Sequence, residues 1–197
     1  MTCTKSSARL AEPLLALEEA ACRRGGRLLF EGLSFALGPG DAAVVTGPNG
    51  VGKSSLLRLA AGLLGPAAGR VERSCAAAFA DEKLALDQRL TLGRALDFWA
   101  RLDGSDAEAG MEAMGLTPLA RVPVRMLSAG QRKRAVLARA VASGAPLWLL
   151  DEPTNGLDSE GQQSLEAAMS GHRAGGGAIL AASHTPIGLN GAAEVAL

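Results

Sequence analysis

Tyrosine is absent from this chain, and aromatic residues of any kind make up 3% of it. Sequence-tolerant binding of single-stranded nucleic acid rests on bases stacking against aromatic rings, so that class loses its main physical support. An excess of charge of either sign is also missing. Twenty basic and twenty acidic side chains give a formal net charge of zero. A protein that grips a phosphate backbone normally shows a basic surplus, and no nucleic-acid partner is expected. Cysteine is scarce: Cys3, Cys22 and Cys75 stand alone, with no C-x-x-C pair and no zinc spacing. Free thiols in a reducing compartment are the expectation. Long apolar runs are lacking. No window approaches the roughly 20 apolar residues of a membrane-spanning helix. The stretch Leu14–Leu17 is too short for a signal-peptide core before it meets Glu18 and Glu19. The expectation is a soluble protein, with any membrane element on another chain.

What is present fits a globular domain. Apolar residues are 48% and charged residues 20% of 197. That length supplies one real hydrophobic core. Residues 1–12 read as a loose polar tail and residues 13–197 as a single domain. Leu14–Glu18 and Leu28–Leu37 read as strands around a turn at Gly25-Gly26. Ala42–Thr46 is an apolar, partly β-branched run between turn residues, hence a buried strand. Ser54–Gly62 reads as a helix with Gly62 near its end. Ala76–Ala80, Leu147–Leu150 and Ala178–Ala182 read as further strands. Helical periodicity covers Leu90–Leu102, a second short helix falls within Gly104–Gly115, and Gln131–Ser143 forms a third. In that last helix Arg132, Lys133, Arg134 and Arg139 are expected to face outward. Residues from about 84 to 143 therefore form an inserted helical part within a mostly parallel α/β sheet protein.

Three segments carry chemistry. Gly47-Pro48-Asn49-Gly50-Val51-Gly52-Lys53-Ser54 fits G-x-x-x-x-G-K-[ST] and sits between a predicted strand and a predicted helix. Its glycines let successive backbone N–H groups turn toward phosphates. The helix N-terminus adds the positive end of its dipole. Lys53 supplies a point charge, and the Ser54 hydroxyl is a hard oxygen ligand suited to Mg²⁺. Asp151 ends an apolar strand, where a carboxylate can hold Mg²⁺ beside a phosphate loop. Glu152 follows it, points elsewhere, and can accept a proton from an attacking water. Leu127-Ser128-Ala129-Gly130-Gln131 opens a helix, with Ser128 as N-cap and small residues that let a phosphate approach free amides.

A phosphate loop, then an LSxGQ helix start, then an apolar strand ending in Asp-Glu resembles the ATP-binding cassette (ABC) ATPases. The fold implied is an ABC-type P-loop NTPase with a mostly parallel sheet core, an N-terminal antiparallel β part and an inserted helical subdomain. The resemblance implies ATP and Mg²⁺ as cofactors. It places nucleotide contacts at Gly47, Pro48, Asn49, Gly50, Val51, Gly52, Lys53, Ser54 and Ser55, and metal contacts at Ser54 and Asp151. Glu152 becomes the catalytic base, and His184, after a predicted strand, the switch histidine beside the γ-phosphate. Ser128, Gly130 and Gln131 would contact the ATP of an opposite subunit, giving a head-to-tail dimer with two nucleotides in its interface. Asp158, in Asn155-Gly156-Leu157-Asp158, matches the loop that communicates across that dimer. His172 matches no motif and is expected at a solvated helix end.

Further segments resemble the ATP-binding subunit of the cytochrome c maturation system, the haem exporter ATPase family. They include Arg24–Phe30, Gly52–Arg58, Leu90-Thr91-Leu92, Phe98–Leu102, Pro146–Pro153 and His172–Gly176, together with Ala129 where most ABC proteins have Gly. The resemblance implies an integral membrane partner and a peripheral position on the cytoplasmic face of the bacterial inner membrane. Two departures stand out. The family's glutamine after the Ala76–Ala80 strand is missing. Asp81-Glu82-Lys83-Leu84 stands there instead, with Glu82 and the more distant Gln88 as the candidates to replace it. No aromatic precedes Gly25-Gly26 to cover adenine, and Arg24 is the substitute expected. Another ABC importer or exporter ATPase, or a soluble ABC ATPase without a transport role, remain alternative readings.

Overall fold

A computed structural model describes residues 12–197. The loose tail expected over residues 1–12 falls outside this range except for Glu12. Two sheets share the chain. The first is antiparallel, in the order β2-β1-β4, with β1 (Leu15–Arg24), β2 (Arg27–Leu37) and β4 (Ala68–Arg73). The second has five parallel strands in the order β5-β6-β7-β3-β8. These are β3 (Ala42–Thr46), β5 (Ala77–Ala80), β6 (Leu147–Asp151), β7 (Ala178–Ala182) and β8 (Ala193–Ala196). Helix α1 (Lys53–Ala60) follows β3. Helices α2 (Leu92–Asp103), α3 (Ala107–Ala113) and α4 (Ala129–Ala142) lie between β5 and β6, and α5 (Ser159–Ala174) lies between β6 and β7.

Strands β6 and β7 are buried at every residue, as central parallel strands covered on both faces must be. Their side chains alternate between two cores. Trp148, Leu150, Ile179 and Ala181 join the helical insertion and α5, through Leu96, Met114, Leu137 and Leu165. Leu147, Leu149, Leu180 and Ala182 face the other way, toward Leu56 and Leu57 of α1 and Leu15 and Leu17 of β1. One sheet thus separates the nucleotide-loop side from the helical side.

Several elements differ from the sequence expectation. Strand β1 runs on past Glu18, because Glu19 takes a left-handed φ of 47° and bulges. Its N–H donates to Ser34 Oγ at 2.8 Å, and Ser34 donates back to Glu19 Oε1 at 2.9 Å. β4 and β8 lie where the sequence shows no strand pattern, since both are edge strands with one half-buried or buried residue each, Val71 and Val195. Of the four basic residues of α4 only Arg132 is exposed. Lys133, Arg134 and Arg139 are half-buried, against the expectation that all four point outward. Arg139 lies 3.8 Å over the Trp99 ring, whose Nε1 donates to the Ala85 carbonyl at 2.7 Å. His172 is not solvated. It stacks on Trp148 at 3.9 Å between ring centres, because Gly177 carries no Cβ and leaves the imidazole room.

Candidate functional site

The parallel strands end along one edge, and the phosphate loop crosses from β3 to α1 there. Gly47, Gly50 and Gly52 have φ of 134°, 79° and 129°. A Cβ at Gly47 would stand 2.8 Å from the Leu197 carbonyl oxygen, and one at Gly52 would stand 3.2 Å from Leu29 Cβ. Both positions need glycine for space as well as for φ. The Val51 N–H closes the loop on the Pro48 carbonyl at 3.3 Å. Lys53, 8% exposed, donates from Nζ to the Gly47 carbonyl at 2.8 Å. The loop borders a cleft of about 320 Å³ whose walls include Asn49, Gly50, Lys53, Ser54, Ser55 and Glu152.

Asp151 closes β6 beneath this cleft and is 7% exposed. Burial pushes its carboxyl above the ordinary carboxylate range. The Ser54 hydroxyl and Arg58 pull it back, while Glu152 and Asp81 push it further. Among the described residues no cluster of three or more His, Cys, Asp or Glu side chains could hold a metal alone. A serine hydroxyl beside one carboxylate suits Mg²⁺, which keeps waters and shares substrate phosphates instead of needing a protein cage.

Glu152 has a φ of 46°, uncommon for a residue with a Cβ. Its N–H donates to the Ala182 carbonyl at 2.9 Å, and its Oε2 lies 2.9 Å from His184 Nδ1. The turn out of β6 therefore presents the carboxylate to the cleft, with the imidazole from the end of β7 behind it.

Ser128 caps α4 in a reciprocal box. The Gln131 N–H donates to Ser128 Oγ at 3.2 Å, and the Ser128 N–H donates to Gln131 Oε1 at 2.9 Å. Ser128, Gly130 and Gln131 do not line the phosphate cleft. Gly130 instead packs beside the Gly156 carbonyl, where a Cβ would come within 3.2 Å. Asp158 caps α5 by accepting the Gly161 N–H at 2.9 Å. Arg24 sits exposed at the tip of the β1–β2 hairpin, paired with Arg27.

Lys133 was not legible as part of this region. Its Nζ lies 3.5 Å from the Asp151 carbonyl oxygen, and burial lowers its affinity for a proton against the pull of Glu82, Asp151, Glu152 and Asp81. Among the substitutes for the missing glutamine, Gln88 is exposed and its carbonyl accepts the Arg125 N–H at 3.3 Å. Asp81 leans toward Arg58 at 3.8 Å.

This loop, strand-end carboxylates and capped helix on a parallel sheet define an ATP-binding subunit of the ABC transporter class. The ABC transporter family profile matches residues 30–155. A cytochrome c biogenesis ATP-binding export protein, CcmA, of Sphingopyxis alaskensis is 61% identical over 174 residues, covering 87% of this chain and 90% of that one. Its namesake in Zymomonas mobilis is 54% identical over 173 residues, covering 86% and 78%. A solved, proposed metal-chelate type ABC transporter in an inward-facing conformation is similar with a TM-score of 0.80 and 27% identity, over 94% of this chain and 80% of that one. The chain belongs to the CcmA family of ABC transporter ATP-binding proteins. It binds nucleotide and is an ATP hydrolase. Among the described residues no helix is long and apolar enough to cross a membrane.

Proposed function

We propose that this chain hydrolyses ATP to drive an integral membrane partner in c-type cytochrome biogenesis, from the cytoplasmic face of the bacterial inner membrane. The observation that carries the reading is the 61% identity to a CcmA protein over nearly the whole chain. The site geometry supports the chemistry. Lys53 and the loop amides of residues 47–52 hold the β- and γ-phosphates, and Ser54 and Asp151 hold Mg²⁺. That ion, when bound, neutralises charge on the phosphate oxygens. Glu152 takes a proton from the attacking water, and His184 holds the carboxylate in place through the 2.9 Å contact. Ser128, Gly130 and Gln131 lie outside the cleft of their own chain. They meet the γ-phosphate held by a second copy, so the catalytic site is completed by dimerisation. Asp158 carries the signal between the two halves.

The partner's contact is a groove of about 540 Å³ beside β5. Apolar walls such as Phe79, Leu86 and Val136 alternate with four charged residues, Asp81, Lys83, Asp103 and Arg139. Phe98, 55% exposed, lies in the neighbouring cleft, which shares Ala85 with the groove. Haem staining of membrane proteins tests the reading. Cells lacking the gene lose covalent haem, wild type restores it, and Glu152→Gln does not. Normal c-type cytochromes in the deletion, with no second copy present, would refute the biogenesis role.

A further inference from the structure

Glu152 is held in a left-handed conformation, at a φ of 46°. Such a residue is strained and persists only where its surroundings fix it. The peptide between Asp151 and Glu152 sets that conformation. Its N–H is fixed by the Ala182 carbonyl at 2.9 Å. Among the described residues its carbonyl oxygen has one side-chain donor within reach, Lys133 Nζ, at a long 3.5 Å.

Lys133 reaches there from the helical insertion, one turn past the capped start of α4. Its ammonium contacts the Asp151 carbonyl and feels the negative charge of Glu82, Asp151, Glu152 and Asp81. Asp81 already has a partner in Arg58 at 3.8 Å, while Glu82 is exposed. The loop after β5 thus presents acids where ABC relatives are expected to have a neutral glutamine. Asp151 and Glu152 are neighbours at this strand end, and their negative charges favour a cation beside them. Lys133 supplies it from the insertion side.

We propose that Lys133 is a positioning residue for hydrolysis: it fixes the Asp151–Glu152 peptide, and so the aim of Glu152, from the helical insertion. The role rests on the reading of Glu152 as the base. It also links two events through one rigid helix. The Ser128 end of α4 meets the nucleotide of a second copy, and Lys133 on the same helix grips the hydrolytic strand end of its own chain.

The test uses the full-length chain. Lys133→Met keeps the stem and removes the charge and the donor, and Lys133→Arg keeps both. Lys133→Met is expected to lose about tenfold or more in kcat, since small misplacements of a catalytic group are costly. KM for ATP stays within about threefold and nucleotide-binding stoichiometry is unchanged, which excludes a misfolded fraction as the cause. Lys133→Arg recovers to within about threefold of wild type. If Lys133→Met fails to fold, Lys133→Gln takes its place with the same criteria. Wild-type kcat in the Met or Gln variant, or an Arg variant as impaired as they are, overturns the proposal. A wild-type chain that hydrolyses ATP while Glu152→Gln does not keeps the underlying reading standing in that case. A Glu152→Gln chain that turns over like wild type defeats that reading, and the Lys133 role with it.

Discussion

Asp151→Asn should make the nucleotide-free protein more stable while abolishing its activity. Asp151 is 7% exposed, and burial raises its pKa above the ordinary 3.8. A group whose folded pKa is raised is penalised by the fold at every pH above the unfolded value, so at pH 7 the ionised carboxylate works against folding. The Ser54 hydroxyl and Arg58 offset part of this, but Glu152 and Asp81 add to it. Asparagine keeps the shape and removes the charge. Relief of an incompletely compensated buried charge is of the order of 2 kcal/mol, which for a domain of this size corresponds to about 4–8 °C in Tm. Mg²⁺-ATP should reverse the ranking. At a hundredfold excess over Kd, ligand adds about 2.7 kcal/mol to a protein that binds it, and only the wild type keeps the carboxylate proposed to join Ser54 on the metal. Thermal unfolding at pH 7, with and without Mg²⁺-ATP, measures both effects. A variant that melts at or below the wild type without nucleotide would refute the argument that Asp151 is held at a cost to the fold.

Other outcomes follow from the same geometry. Glu152→Gln should bind ATP, lose at least about a hundredfold in turnover and accumulate as a dimer on size exclusion; a monomer at saturating ATP contradicts the two-copy site. Ser128→Arg and Lys53→Ala should each be inactive alone. Mixed together they should regain part of the activity, since one hybrid interface carries both intact halves; no recovery would argue for a self-contained site. His172, half-buried against Trp148, has its pKa lowered beneath 6.5, so the unfolded chain binds the proton first as pH falls. Stability should therefore decline below about pH 6.5, and His172→Phe, which keeps the stack, should flatten that slope in urea titrations; identical slopes would exclude His172 as the titrating group.

The parallel core was legible because its strands are short apolar runs between turn residues, and the phosphate loop because glycine, lysine and serine spacing encodes its chemistry directly. β4 and β8 escaped notice for a physical reason: an edge strand with one inward residue leaves almost no hydrophobic period to read. Glu18 and Glu19 read as the end of β1, yet a bulge absorbs one of them and the strand goes on. Lys133 and Arg139 looked like solvated charges because long side chains can bury their stems while spacing alone suggests an outward face. His172 was hidden because its pocket depends on the missing side chain of Gly177, five residues on, and on the Trp148 ring of a distant strand.

Strands β5 and β6 are neighbours in the sheet, although α2, α3 and α4 all lie between them in sequence. The two strands run parallel, so the insertion leaves the sheet at Ala80, beside Leu150, and returns at Leu147, beside Ala77: its attachments stand at opposite ends of neighbouring strands. Two attachments set apart by about 10 Å along the strand direction resist sliding and stretching, and leave the line between them as the axis about which the insertion turns most easily. Gly144, with φ of 64°, sits in the returning attachment. A push on the tip of α4 is therefore converted into an angle, and the far rim of the insertion, where Phe98 and Leu102 lie open, travels furthest.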